Sequence, residues 1–449
     1  MSTVQKKLKK ILELSTADYC IAIAGESSSA NLRWANNTST TNGLVNGASL
    51  TVISIVGKSV GSVSSNHFPD ESLGELVRRS EEGAKGKPEA QDFMPLLDGD
   101  GSLPSGWEEQ YEKVDLDLFE PLVSGLDSTI AQARGENVLT FGYASHTSHT
   151  AYLATSSGIR RRHTHREASL QMTAKTPDFK KSVSFSTTHP SIAEANSEEI
   201  YKRLVKRLEW SKNSISLEPG RYPVILEPAA VAELMYYVYL SSGARDADEG
   251  RSAFSKPGGG NRVGEKLYSD FINVYSDPTE PDLERAPFVM VSSSDSHSSI
   301  FDNGHDLSRT DWVKDGVLTA LITPRYWANK TNAPPRPIVN NVVVRGDESK
   351  TLEDMIATSQ RALLVTRFWY TRMLDPQTLL VTGLTRDGVF LIEDGQVKGA
   401  VNNFRYNMSP IATLAQTTEI GPSQIGFGFV KAPHLRVEDF HMSSVSKAS

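Results

Sequence analysis

Pro223-Val-Ile-Leu-Glu-Pro-Ala-Ala-Val-Ala-Glu-Leu-Met235 changes its pattern part-way along. Residues 221–226 make a compact apolar run suited to a strand. Pro228 stands where the first turn of a helix accepts proline, since an N–H there has no intrahelical partner. Val231, Leu234, Met235 and Val238 then mark one helical face. A strand stepping straight into a helix, opened by Pro219-Gly220, begins a unit of its own.

Downstream of that step, beyond Val263, the pattern is mostly β. Asp315-Gly316, Asp387-Gly388 and Asp394-Gly395 are each flanked by apolar alternation, so each predicts a hairpin. One helix is expected over 352–362. Upstream, Val4, Leu8, Ile11 and Leu12 fall at helical spacing, and 19–24 suits a strand. Asn42-Gly43 and Asn46-Gly47 are turn signals, and 49–56 with 59–63 reads as a hairpin around Gly57-Lys58. Asp70 or Ser72 can cap a helix through Leu73, Leu76 and Val77. The Gly-, Pro- and Asp-rich stretch 86–106 lacks both periodicities and reads as a connection. A helix over 116–133, strands over 138–145 and 150–156, a polar strand pair to 186 and a helix over 192–210 complete the pass. The expected fold class is α+β: an α/β N-terminal region followed by a β-rich C-terminal domain with hairpins. The expected units are 1–86, 107–213 and 217–449.

At 449 residues, two or three cores are the natural expectation. A net charge of −7 argues against a nucleic-acid footprint, although Arg160, Arg161, Arg162 and Arg166 form a local basic patch, read as a solvated strand face. Cys20 is the only cysteine, so no intramolecular disulfide and no Cys-rich zinc site can form. The lysines at 6, 7, 9 and 10 belong to an amphipathic helix rather than a signal peptide, and no run is apolar for the roughly 18 residues a membrane span needs. The expected location is the cytoplasm.

The stretch 223–235 resembles the strand-to-helix step of the TldD/PmbA peptidase family. Glu249-Gly-Arg-Ser-Ala-Phe254 and Gly264-Glu265-Lys266 are similar to its next loop and segment. Asp277-Pro278, Phe301-Asp-Asn-Gly304, Arg309-Thr310, Thr351-Leu-Glu-Asp-Met355, Leu364-Val-Thr-Arg367 and Phe390-Leu-Ile-Glu-Asp-Gly395 follow in family order. In the first unit, Asn31-Leu-Arg-Trp-Ala-Asn-Asn37 matches as well. The resemblance implies a TldD–TldE heterodimer that degrades unfolded peptides. It also implies a cleft that holds an extended peptide through backbone pairing.

In the family's catalytic subunit, the helix after this strand carries His-Glu-x-x-x-His for a divalent metal. Here the helix from Pro228 to Leu240 has no histidine, Glu233 is its only carboxylate, and no cysteine lies near the C-terminus. The loss is large: metal binding lowers the pKa of water from about 15.7 to about 7, roughly 12 kcal/mol toward the nucleophile. A lone general base supplies a factor of only about 10²–10⁴. The resemblance therefore implies the TldE (PmbA) type of subunit, with no cofactor and no catalytic or metal residue of its own. The metal, zinc by family chemistry, is expected in a TldD-like partner. Asn402, Asn403, Phe404 and Tyr406 are the candidate peptide contacts.

Other constellations have plainer explanations. His146 and His149, with His163 and His165 beside Glu167, read as packed or exposed strand histidines. Ser294-Asp-Ser-His297 with His305 and Asp306 lacks a nucleophile elbow and reads as a polar loop. Gly258-Gly259-Gly260 is a flexible turn, since no P-loop Lys follows. Trp34, Trp327, Trp369 and Tyr370 read as core or interface aromatics. The rival functions are a homodimeric peptide-binding or regulatory protein, and an independent hydrolase using Glu233, Ser294 or His297.

Overall fold

Tyr19–Ala35 (β1) and Thr38–Val56 (β2) pair along their whole length and turn at Asn36-Asn37, both with left-handed φ, 51° and 59°. The structure, a computed structural model, describes residues 3–446. The expected turns at Asn42-Gly43 and Asn46-Gly47 lie inside β2 instead. Tertiary bonds place the reversal earlier: the Asn37 amide donates to Val138 O at 2.7 Å, and its Oδ1 accepts from Thr140 N at 2.7 Å. Asn tolerates the left-handed region that this turn type needs.

Ser59–Ser65 (β3) forms the predicted hairpin with β2. Leu139–Thr155 (β4), Arg160–Lys175 (β5) and Ser182–His189 (β6) complete an antiparallel sheet in the order β3-β2-β1-β4-β5-β6. The first and second expected units thus contribute to one sheet, through the β1–β4 pairing. Side chains alternate, so Cys20, Ala22, Ala24, Ala30, Leu32 and Trp34 share a face. Val4–Leu14 (α1) and Leu73–Lys85 (α2) cover one end of that face, and Glu120–Gly135 (α3) and Ser197–Trp210 (α4) the other. Ser72 does not cap α2; its hydroxyl donates to Pro69 O.

The connection 86–115 has no helix or strand, yet it packs. Leu96 is buried with Ile21, Ile53 and Leu153 on the opposite sheet face, and Phe93 meets Phe301 edge-on at 5.3 Å.

Ser214–Ile215 (β7) and Gly220–Leu226 (β8) enter a ten-stranded sheet. There β8 lies between the antiparallel Leu435–Val445 strand and the parallel Arg361–Val365 strand. Pro228–Leu240 (α5) leaves β8 as predicted. It is apolar nearly all round because it is buried between this sheet and a six-stranded one ending in Gln424–Phe427. Of the expected hairpins, Asp315-Gly316 and Asp394-Gly395 join paired strands. Asp387-Gly388 does not: it carries the chain from Leu380–Thr385 to Val389–Glu393, which are not neighbours. The Gly388 carbonyl instead accepts from Thr366 N, extending the pairing with the Arg361–Val365 strand. Alternation alone cannot say which strand a run will pair with. The helix expected over 352–362 stops at Leu352–Ala357; Thr358, Ser359 and Gln360 turn the chain, and Arg361 and Ala362 open the next strand.

Candidate substrate cavity

A cavity of about 300 Å³ opens where the first turns of α5, the last turns of α4 and the segment 366–370 converge. Two further walls are Ser184–Ser186 of β6 and Gln424–Gly426. Both belong to outermost strands of their sheets. A sheet edge carries backbone donors and acceptors without a strand partner, which suits it to pairing with an extended chain.

One wall is tied by a buried ion pair. Arg207, on the last turn of α4, donates from Nη2 to both carboxylate oxygens of Glu227 at 2.6 Å, and from Nη1 to Ser184 O at 3.0 Å. The two side chains are 4% and 5% exposed. Glu227 also precedes the first residue of α5, where the helix dipole favours a carboxylate. This pair joins α4 to the β8–α5 step.

Glu233 reaches the cavity one turn further along α5. Burial pushes its carboxyl above the ordinary range, against a hydrogen bond with Thr371 and the field of Arg367. Burial likewise lowers the Arg367 guanidinium and the His434 imidazole from their ordinary values. The Arg367 guanidinium lies 4.7 Å from the Trp369 ring centroid, and that of Arg386 lies 5.3 Å from it. Trp369 Nε1 is buried without a hydrogen-bond partner. At the rim, Tyr370 is 67% exposed and held at φ 51°, where pairing slips between Trp369 and Arg372. Such a bulge re-aims a side chain, and left-handed backbone under an aromatic residue is a strained arrangement.

The four candidate peptide contacts lie elsewhere. Phe404 and Tyr406 are fully buried; Tyr406 packs on Phe368 at 4.2 Å and bonds the Thr371 hydroxyl at 2.8 Å. Asn402 Oδ1 accepts from Leu217 N at 2.8 Å. Asn403 lines a different, polar cavity with Lys181 and Arg386. Trp34 and Trp327 are core residues, whereas Trp369 and Tyr370 line the main cavity.

The other constellations are structural. Asp295 accepts from the backbone N–H of His297 and Ser298, so it orients no imidazole; Ser294 Oγ accepts from Ile300 N. His165 sits between Arg285 and Glu167, and His146 Nδ1 accepts from Ile192 N. The basic patch is paired: Arg161 with Asp306, Arg162 with Glu109, and Arg166 with Glu112. Among the described residues, no three His, Cys, Asp or Glu side chains gather as a metal site. No helix among the described residues is long and apolar enough to cross a membrane. Sequence reasoning gave Arg207, Glu227 and Arg203 no role. The available signal lay at Thr366-Arg-Phe-Trp-Tyr370, where a polar pair breaks an apolar strand ahead of three aromatics.

Comparison with known proteins gives consistent results. Residues 219–444 match the family model described as the PmbA/TldA metallopeptidase C-terminal domain. No curated protein matches significantly. TldE from Thermococcus kodakarensis superposes with a TM-score of 0.80 at 18% identity, over 98% of this chain and 99% of that one. A protein from Thermotoga maritima, described as a proposed modulator of a DNA gyrase, gives 0.79 at 15%, over 98% and 100%. One from Bacteroides thetaiotaomicron with a similar description gives 0.75 at 17%, over 99% and 100%. At these identities the likeness is one of fold.

Proposed function

The chain belongs to the PmbA/TldD metallopeptidase family, and from that premise we propose that it is a TldE-type, metal-free subunit of a cytoplasmic two-chain peptidase. In this reading it shapes a cleft for unfolded peptide beside a metal-bearing, TldD-like chain, and peptide is degraded or processed there. The observation that carries the proposal is the face α5 turns to the cavity: Pro228, Ala229 and Glu233, with no imidazole or thiolate.

The donors present do not fit a divalent ion. Both oxygens of Glu227 are taken by Arg207, burial holds the Glu233 carboxyl above the ordinary range, and His434 is the one imidazole in the cavity lining among the described residues. Three protein ligands with an open position are the usual catalytic requirement. A divalent metal, zinc by family chemistry, would be held by the partner and supply the nucleophile. This chain's residues would bind and orient peptide, with Ser184–Ser186 and Gln424–Gly426 offering strand edges and Tyr370 an exposed ring.

The test is to purify the chain alone and together with a partner carrying His-Glu-x-x-x-His. Hydrolysis of an unfolded peptide and metal content are then measured chain by chain. Hydrolysis and bound metal are expected only with the partner. Cleavage by the single chain, without metal or partner, would remove the proposal.

A further inference from the structure

Three guanidiniums, on Arg203, Arg207 and Arg367, line the cavity against two carboxylates, on Glu227 and Glu233. Their pairing is uneven. Arg207 and Glu227 neutralise each other through two bonds of 2.6 Å. Arg367 feels the fields of Asp387 and of Glu233 but forms an ion pair with neither, and Asp387 is paired with Arg386 at 3.6 Å. Arg367 is left with one long contact, 3.5 Å to Ser184 Oγ, and with the Trp369 ring. Arg203 has only the Phe185 ring, 4.2 Å from its guanidinium.

The Arg367 guanidinium is half-buried and makes no ion pair, which is costly because its water is removed and nothing equivalent replaces it, whereas Arg203 is exposed and adds its charge at the cavity mouth's solvent side only through its position on the lining. Aromatic faces recover part of that cost and keep the planar fork oriented. Flat, bidentate recognition of a carboxylate is the use to which such a fork is best suited.

We infer that the pocket at Arg367 and Arg203 is a carboxylate-binding subsite of the peptide cleft. Its ligand is a carboxylate borne by an extended peptide, either the C-terminal carboxylate or an acidic side chain. The inference rests on the peptide-binding reading above and adds to it a rule for which peptides are held, and in what register. Arg367 meets the carboxylate, Arg203 adds charge, and Trp369 positions the Arg367 fork.

The test uses the full chain and labelled unstructured peptides, read by fluorescence anisotropy. One pair differs only in a free acid or an amide at the C-terminus. A second pair, both amidated, differs only in an internal Glu or Gln. The expected result is binding about tenfold tighter for the carboxylate-bearing member of one pair, and the responsive pair identifies the source. Arg367→Gln should abolish that ratio, and Arg203→Gln should reduce it. The ratio measured on the parent chain decides the matter even if a variant fails to fold. Equal binding of both members in both pairs overturns the subsite and leaves the peptide reading intact. No binding of any peptide overturns both.

Discussion

Cutting the Arg207–Glu227 pair on one side should destabilise the chain more than almost any other single polar change. The guanidinium spans both carboxylate oxygens at 2.6 Å in a setting where the side chains are 4% and 5% exposed. Arg207→Met leaves a carboxylate buried without its counter-charge, which costs about 3–5 kcal/mol in comparable pairs. Two features pull the expectation to the lower end, about 3 kcal/mol: the α5 N-terminus returns about 0.3–1 kcal/mol to Glu227, and the pair lines a cavity that water enters. Glu227→Gln should cost a similar amount, since Arg207 keeps only Ser184 O and the Phe185 ring, 5.3 Å away. The double variant Arg207→Met/Glu227→Gln should lose less than the two singles together, because no uncompensated charge remains. Urea unfolding followed by circular dichroism and tryptophan fluorescence gives the three values, provided the two probes coincide. Single variants costing under about 1 kcal/mol each, or a strictly additive double variant, would refute the reasoning.

Three further outcomes follow from the cavity walls. Burial raises the Glu233 carboxyl above its ordinary 4.5, so the folded chain holds a proton that the unfolded chain has released. That contribution to stability is present below the unfolded value and is lost as pH rises through the folded one. The parent should therefore lose stability relative to Glu233→Gln over that window, and urea midpoints measured from about pH 4 to about pH 7 test it. Gly426→Ala should cost about 1–3 kcal/mol, since a Cβ there would stand 2.3 Å from Pro228 O and 2.8 Å from Ala232 Cβ; the urea midpoint reads this. Tyr370→Gly should leave stability within about 0.5 kcal/mol of the parent, relief of the left-handed strain offsetting the lost contacts, while weakening peptide affinity measured by anisotropy.

The fold was legible wherever the determining signal was local. Pro228 after a compact apolar run gave the β8–α5 step, and Gly57-Lys58 gave a hairpin because turn and flanking alternation lie within a few residues. It was less legible where a distant partner decides. Asn37 turns the chain because Val138 and Thr140, about a hundred positions on, hold its amide. Asp387-Gly388 fails as a hairpin because Thr366 claims the Gly388 carbonyl. For the site, the empty ligand positions on α5 could be read directly. The Arg207–Glu227 pair could not, since twenty residues separate its members and neither stands in a motif. Phe404 and Tyr406 are candidates through the family resemblance of their segment, but aromatic side chains on an alternating strand face the core as readily as a cleft, and here both are buried.

The cavity lies at a junction, and that location governs how it can work. Ser184–Ser186 come from the first sheet, Arg367 to Tyr370 from the ten-stranded sheet, and Gln424–Gly426 from the third. No one unit builds the site, so its shape depends on how all three dock, and the buried Arg207–Glu227 pair ties α4 to the β8–α5 step in one of its walls. A ligand that pairs with both strand edges would hold the same three bodies together. It should then stabilise the junction by linkage, about 2.7 kcal/mol at a hundredfold excess over Kd. The uncompensated charge sits on the segment 366–370, which also carries the strained Tyr370. Desolvated charge and backbone strain thus meet at one wall, and a carboxylate entering beside Trp369 would relieve the first. The α5 wall presents Pro228, Ala229 and Glu233, and the Arg207–Glu227 pair beside it is already satisfied. Within this chain, the wall at 366–370 therefore has more to gain from a ligand than the helix does.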